Sequence, residues 1–265
     1  MARIEVEYFS NALVRPVSFR VVLPNDFRAG VPGIQRPENP HLNRPMKTIF
    51  NLPGFTGGAE WGNEMMAMRY NTAIISVYGE NAFYVDNLAP SGKYATFIGE
   101  EMVDYVRRTF GLAMTPEDTY IMGISMGGYG ALINGLRFAG TFSKIAMLSP
   151  ALGFKQPDDE PTPGSPSPKG ELLATLGTWE EYQGSYRDYS WAAAEAAKSP
   201  EAMPDMFLAC GKSDGLITPA KEFATQMESL HTPLTWYEAE GGHDHTFWKQ
   251  ALTPMFRFLT GKEDA

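Results

Sequence analysis

Gly123-Ile124-Ser125-Met126-Gly127 holds a serine with a glycine two positions away on either side, the spacing used by a nucleophile on a sharp turn. Thr119 to Gly123 reads as a strand, and Gly128-Tyr129-Gly130 opens a helical run, so the pentapeptide lies between a strand and a helix. On such a turn the serine takes strained backbone angles, and its hydroxyl projects at the positive end of the helix, where negative charge is stabilised. A serine hydroxyl is a weak nucleophile at neutral pH. A base must therefore accept its proton, and a carboxylate must orient that base.

With the nucleophile on an elbow of this kind, the acid and then the histidine follow along the chain. Cys210-Gly211-Lys212-Ser213-Asp214-Gly215 succeeds the apolar run Met206 to Ala209, which puts Asp214 in a loop at the carboxyl end of a strand. Its bland alternative is a turn aspartate beside Gly215. Of the four histidines, His41 lies in a proline-rich loop before the nucleophile and His231 at a helix end, positions that suit the surface. His243 and His245 remain, in Glu240-Gly241-Gly242-His243-Asp244-His245. The paired glycines let the loop fold back toward the sheet and favour His243 as base, whereas His245 sits nearer the next helix, for which Asp244 can act as N-cap.

Acyl transfer also needs N–H donors aimed at the oxyanion. The backbone of Met126, just after the nucleophile, supplies one. The glycine-rich stretch Asn51 to Gly58 offers a second at Phe55, although such stretches also serve simply as tight turns. Trp61, Phe83, Tyr84 and Trp179 are candidates for the substrate pocket, with core packing as the alternative for each. Tyr129 is expected to pack under the elbow helix, and Met65, Met66 and Met68 to serve as adaptable core.

These groups need a scaffold, and short β-rich runs alternating with helical ones provide it. Eight strands are expected, at Ile4 to Tyr8, Val17 to Leu23, Lys47 to Leu52, Ala73 to Val77, Thr119 to Gly123, Lys144 to Ser149, Met206 to Cys210 and Leu234 to Glu238. The first two leave no room for a helix between them and suit an antiparallel pair at one edge. Apolar spacing predicts helices over Tyr94 to Phe110, Met126 to Phe138, Ala220 to Leu230 and Phe247 to Leu259. The fold class is therefore α/β, a mostly parallel eight-stranded sheet with helices on both faces, in a single domain over 1–265. Pro24 to Pro45 reads as a long surface loop. Residues 156–204 read as a cap-like insertion over the site: a proline-rich linker or flap, then a helical part carrying Trp179, Tyr182, Tyr186, Tyr189 and Trp191.

A formal net charge of −9 and a pI near 5.0 argue against nucleic acid and anionic membranes as partners and suit a neutral small-molecule ester. Self-association is left open. No leader-like start is visible, no apolar run approaches the roughly 20 residues of a bilayer span, and Cys210 is the lone cysteine, so a cytoplasmic location is expected. A metal centre is not expected, because the His243 and His245 pair lacks a third ligand to complete a catalytic zinc site.

Gly79-Glu80-Asn81-Ala82-Phe83-Tyr84-Val85-Asp86, the elbow Gly123 to Gly130, Cys210 to Asp214, and Gly242-His243 followed by Phe247-Trp248 together resemble the tributyrin esterase branch of the α/β-hydrolases. That branch is similar to esterase D and to the acetyl-xylan and feruloyl esterases. The resemblance runs from about Lys47 to the C-terminus. It implies an α/β-hydrolase fold, cleavage of short acyl esters without a cofactor, and a triad of Ser125, Asp214 and His243. Pro53-Gly54 departs from the His-Gly common in that branch after the third strand. A thioester hydrolase or an acyltransferase would use the same residues, and a binding protein on the same fold would need none of them intact.

Overall fold

The computed structural model describes residues 1–24, 45–57, 63–87, 89–153 and 169–261. Two antiparallel strands, β1 (Ala2–Ser10) and β2 (Arg15–Leu23), open the chain, followed by β3 (Lys47–Leu52), α1 (Asn63–Tyr70) and β4 (Thr72–Val77). A helix over 94–110 comes next, as α2 (Tyr94–Thr96), a π-helical turn (Phe97–Glu101) and α3 (Met102–Phe110). Then follow β5 (Thr119–Ile124), α4 (Met126–Arg137), β6 (Lys144–Leu148), α5 (Lys169–Leu176), α6 (Trp179–Tyr182) and α7 (Tyr189–Ala196). The last elements are β7 (Asp205–Gly211), α8 (Ile217–Ser229), β8 (Leu234–Ala239) and α9 (His245–Thr260).

The eight strands form one sheet in the order β1-β2-β4-β3-β5-β6-β7-β8. Pairing is antiparallel from β1 through β4 and parallel from there to β8. All eight expected strands are present, and the expected edge hairpin is β1 with β2. Alternate residues of the central strands face opposite cores. Phe50, Ile75, Ile121, Ile145 and Leu208 join the helices of one side, while Ile49, Ile74, Met122, Ala146 and Phe207 meet α1 and α9 on the other. Because both faces are covered, β5 is buried along its whole length. The carboxyl ends of β3 to β8 share one edge of the sheet, where open α/β sheets bind their ligands.

Two local expectations differ from what is observed. The 94–110 helix is continuous but widens at the π turn, next to which the Glu101 carboxylate accepts the Ala12 N–H at 2.7 Å. Helix α1 has no counterpart among the expected helices, and within it Met65 is 79% exposed, so it is not core as expected. Two aromatic rings of the insertion dock it to the body of the fold. Tyr189 packs edge-on against Phe223 of α8, and the Tyr186 ring lies under the Arg137 guanidinium of α4 at 4.3 Å. The Tyr186 hydroxyl also accepts the Asp86 N–H at 2.6 Å, and Ser190 and Gln226 exchange hydrogen bonds at 2.8 and 2.9 Å. The expected loop over Pro24 to Pro45 and the proline-rich flap at Gln156 to Lys169 fall almost wholly outside the described residues. Among the described residues no helix is long and apolar enough to cross a membrane.

Candidate active site

Ser125 sits between β5 and α4 with φ 53° and ψ −117°, a region that a side chain enters only when its surroundings force it there. Two glycines make the turn sterically feasible. A Cβ on Gly127 would lie 1.9 Å from the Leu52 carbonyl oxygen, and one on Gly123 would lie 2.0 Å from the Gly127 carbonyl oxygen. The motif thus brings strand, turn and helix into a contact that no larger residue admits.

Asp214 and His243 come from the loops after β7 and β8, which are stitched together by backbone bonds. Lys212 N–H donates to Ala239 at 3.0 Å and Ser213 N–H to Gly241 at 2.9 Å. His243 Nδ1 lies 3.0 and 3.1 Å from the two Asp214 carboxylate oxygens, and its Nε2 lies 3.0 Å from Ser125 Oγ. With Nδ1 protonated toward Asp214, Nε2 is free to accept the serine proton. Asp214 is only 2% exposed. Burial alone would raise its pKa, but hydrogen bonds from His243, Ser149 and the Leu216 N–H, together with the His243 charge, outweigh burial and hold it below the usual carboxylate value. It is therefore ionised at neutral pH, the state in which it can accept from Nδ1.

His245, the competing histidine, is the first residue of α9, behind the Asp244 cap that accepts from Thr246 and Phe247 N–H. His243, not His245, is the histidine brought to Ser125 and Asp214.

Beside Ser125, Gly54 to Gly57 form a tight turn closed by a Gly57 N–H to Gly54 bond of 3.1 Å, with Thr56 at φ 56°. A Cβ built on Gly54 would lie 3.5 Å from that of Ser125, so the turn carrying Phe55 abuts Ser125. Met126 opens α4, where helix N–H groups lack intrahelical acceptors. Both expected oxyanion donors therefore belong to segments adjoining Ser125.

The loop after β4 holds this turn from below. The Tyr84 hydroxyl donates to the Pro53 carbonyl at 2.9 Å, and Asn81 Oδ1 accepts the Thr56 N–H at 2.7 Å. Tyr84 is 0% exposed and Phe83 2%, with Phe83 edge-on to Tyr129. Both were expected as pocket candidates. They are core instead, because the positive φ of Glu80, Asn81, Phe83 and Tyr84 winds the loop back under the turn. Tyr129 is buried as expected, and its hydroxyl donates to Arg187 at 2.6 Å. Trp179 is half-buried and stacked on Tyr182, whereas Trp61 and His41 lie outside the described residues.

Asn81 is a functional candidate that sequence reasoning misses as an individual residue; its signal is its place in the Gly79 to Asp86 motif. Asn81→Ala is expected to lower kcat about tenfold with little change in KM, because the turn loses the acceptor for Thr56 N–H. Steady-state kinetics on p-nitrophenyl acetate checks this, and an unchanged kcat would show that the turn holds without the bond.

Among the described residues no group of three or more His, Cys, Asp or Glu side chains could hold a metal ion. Residues 68–259 match the family described as "Putative esterase". Over 231 residues the chain is 29% identical to an acetyl esterase of Caldicellulosiruptor saccharolyticus, covering 83% of this chain and 85% of that protein. Its fold is similar to that of the Staphylococcus aureus fluorophosphonate-binding serine hydrolase FphF, with a TM-score of 0.81, 23% identity and coverage of 98% and 99% of the two chains. It is also similar to a ferulic acid esterase, with a TM-score of 0.74, 22% identity and 98% coverage of each chain.

Proposed function

The chain belongs to the esterase family and is a carboxylic ester hydrolase of the α/β-hydrolase fold, and from that premise we propose that it cleaves short acyl esters through an acyl-enzyme on Ser125. The hydrogen-bonded chain from Ser125 through His243 to the buried Asp214 carries this reading. His243 Nε2 takes the hydroxyl proton as Oγ attacks the ester carbonyl, and Asp214 stabilises the imidazolium that forms. The Met126 and Phe55 N–H groups receive the developing oxyanion. His243 then returns the proton to the leaving alcohol, and water repeats the sequence on the acyl-enzyme. No step requires a cofactor.

The preference for short acyl groups is supported by the acetyl esterase relative and by the resemblance to short-chain esterases. A long chain gains about 0.8 kcal/mol per methylene only where an apolar trough buries it. Tyr186 and Tyr189 are engaged in docking the insertion, so they lend the proposal nothing. Measured kcat/KM is expected to be highest on p-nitrophenyl acetate or butyrate and to fall steeply on octanoate and palmitate. Faster turnover of octanoate than of butyrate would refute the short-acyl reading.

A further inference from the structure

Tyr84 is fully buried, and its phenol and its backbone both face parts of the site. The phenol O–H donates to the Pro53 carbonyl at 2.9 Å, and the Tyr84 carbonyl accepts from Asn134 Nδ2 of α4 at 2.9 Å. The side chain fills space that two glycines leave open. A Cβ on Gly130, in α4, would lie 2.4 Å from the ring, and one on Gly79 would lie 2.2 Å from the hydroxyl oxygen. Tyr84 is also held at φ 57°, a left-handed angle that a tyrosine keeps only when its surroundings over-determine it. Burial pushes the phenol pKa well above its ordinary value, so the hydroxyl stays a donor at working pH.

The bond to Pro53 acts on the turn that carries Phe55. Three successive peptides of that turn each have one group fixed. The Pro53 carbonyl is held by Tyr84, the Gly54 carbonyl by the Gly57 N–H at 3.1 Å, and the Thr56 N–H by Asn81 Oδ1 at 2.7 Å. The middle peptide carries the Phe55 N–H. It is trans, so that N–H points away from the Gly54 oxygen and out of the turn, in a direction set by the peptide planes on either side. The Pro53 oxygen also lies against α4, since a Cβ on Gly127 would come within 2.6 Å of it. Helix α4 begins with Met126. One side chain therefore spans both segments from which the proposed oxyanion donors come, packing on α4 with its ring and holding the turn with its hydroxyl.

On the reading that the Met126 and Phe55 N–H groups receive the oxyanion, we propose that Tyr84 is a positioning residue for the oxyanion hole: its hydroxyl fixes the Pro53–Gly54 peptide and thereby keeps the Phe55 N–H in register with that of Met126. Two donors from separate segments must converge on one oxygen, and a misplacement of about 1 Å costs on the order of 10²-fold in rate. The effect is confined to the hole. Asp214 and His243 come from the loops after β7 and β8, on the opposite side of β5 from β3 and β4, so the proton relay is positioned independently of Tyr84.

Tyr84→Phe removes the hydroxyl, and Gly79→Ala keeps it but displaces it. Tyr129→Phe is the matched control, an equally buried phenol whose hydroxyl donates to another backbone carbonyl, that of Arg187 in the insertion, at 2.6 Å. For each, steady-state kinetics on p-nitrophenyl acetate, inhibition by a short-chain trifluoromethyl ketone and melting temperature are measured, with Ser125→Ala alongside. The ketone reports on the hole because Ser125 Oγ adds to its carbonyl carbon, the hydroxyl proton passes to His243, and the carbonyl electron pair is left on oxygen as an oxyanion. Tyr84→Phe is expected to lower kcat about 10- to 100-fold with KM nearly unchanged, less than the roughly 10²- to 10³-fold cost of losing an oxyanion donor outright. Its Ki for the ketone should rise by a similar factor, while the acid limb of kcat/KM, which His243 sets, stays in place. Gly79→Ala should show the same pattern in weaker form, and Tyr129→Phe should keep a near wild-type kcat and Ki. Wild-type kcat and Ki in both Tyr84→Phe and Gly79→Ala would overturn the proposal, as would a shifted acid limb or a loss that Tyr129→Phe matches at equal melting temperature. Ester turnover that survives Ser125→Ala would instead refute the acyl-enzyme reading, and this inference with it.

Discussion

Replacing His243 with alanine is expected to lower kcat by about four orders of magnitude, the loss that follows when a triad's general base or its orientation is removed. The expectation rests on His243 which, among the described residues, alone bridges Ser125 Oγ and the Asp214 carboxylate. Asp214→Asn should lose a comparable factor, since an amide in its place favours the wrong imidazole tautomer. His245→Ala serves as the contrast. His245 is exposed at the start of α9 and touches Trp248, so its removal should leave the chemical step nearly intact and act on stability or substrate binding. Single-turnover rates with p-nitrophenyl acetate, together with labelling of Ser125 by a fluorophosphonate, separate these outcomes. Equal losses at His243 and His245 would mean that the histidine in this geometry is not the base that works.

Gly127→Val should be more drastic still, because the variant should not accumulate as folded protein. Even a single Cβ at this position meets the Leu52 carbonyl oxygen at 1.9 Å, and that oxygen belongs to backbone in the middle of the sheet, which has nowhere to go. Substitutions that force buried backbone apart fall in the exceptional class above about 4–5 kcal/mol, a large part of a domain's stability. Circular dichroism and soluble yield report the result. By contrast, Gly140→Ala, where a Cβ meets nothing within 4 Å, is the matched control and should fold normally. A soluble Gly127→Val protein with native ellipticity would show that the elbow can open by more than its contacts suggest.

The strands were readable in the sequence because short β-rich runs alternate with helical ones, and strands covered on both faces, such as Lys47 to Leu52 and Thr119 to Gly123, read as short continuous runs; the positions of Ser125, Asp214 and His243 followed from strand ends. What stayed hidden left no such trace. Helix α1, with the exposed Met65 and buried Ala67, lacks the apolar stripe that would mark it. Tyr84 and Phe83 looked like pocket residues because they follow a strand at the correct edge. Only the run of left-handed backbone turns them inward, and φ is not encoded in residue type for Glu80, Phe83 or Tyr84. Asn81 is tied to the turn after β3 by a single hydrogen bond to a partner 25 residues away, a coupling that spacing along one chain does not reveal.

The parallel half of the sheet also has a consequence for when the protein becomes active. From β5 outward the strands lie in their order along the chain, β6 beside β5, β7 beside β6 and β8 at the rim. During synthesis Ser125, the elbow helix and the turn carrying Phe55 emerge first, Asp214 follows with β7, and His243 arrives only once β8 has been laid on. On the proposed mechanism, a nascent chain halted anywhere before that carries an inert serine. Domains form as units while they leave the ribosome, and on that mechanism catalytic competence waits for β8, so an active molecule is one that has finished its sheet.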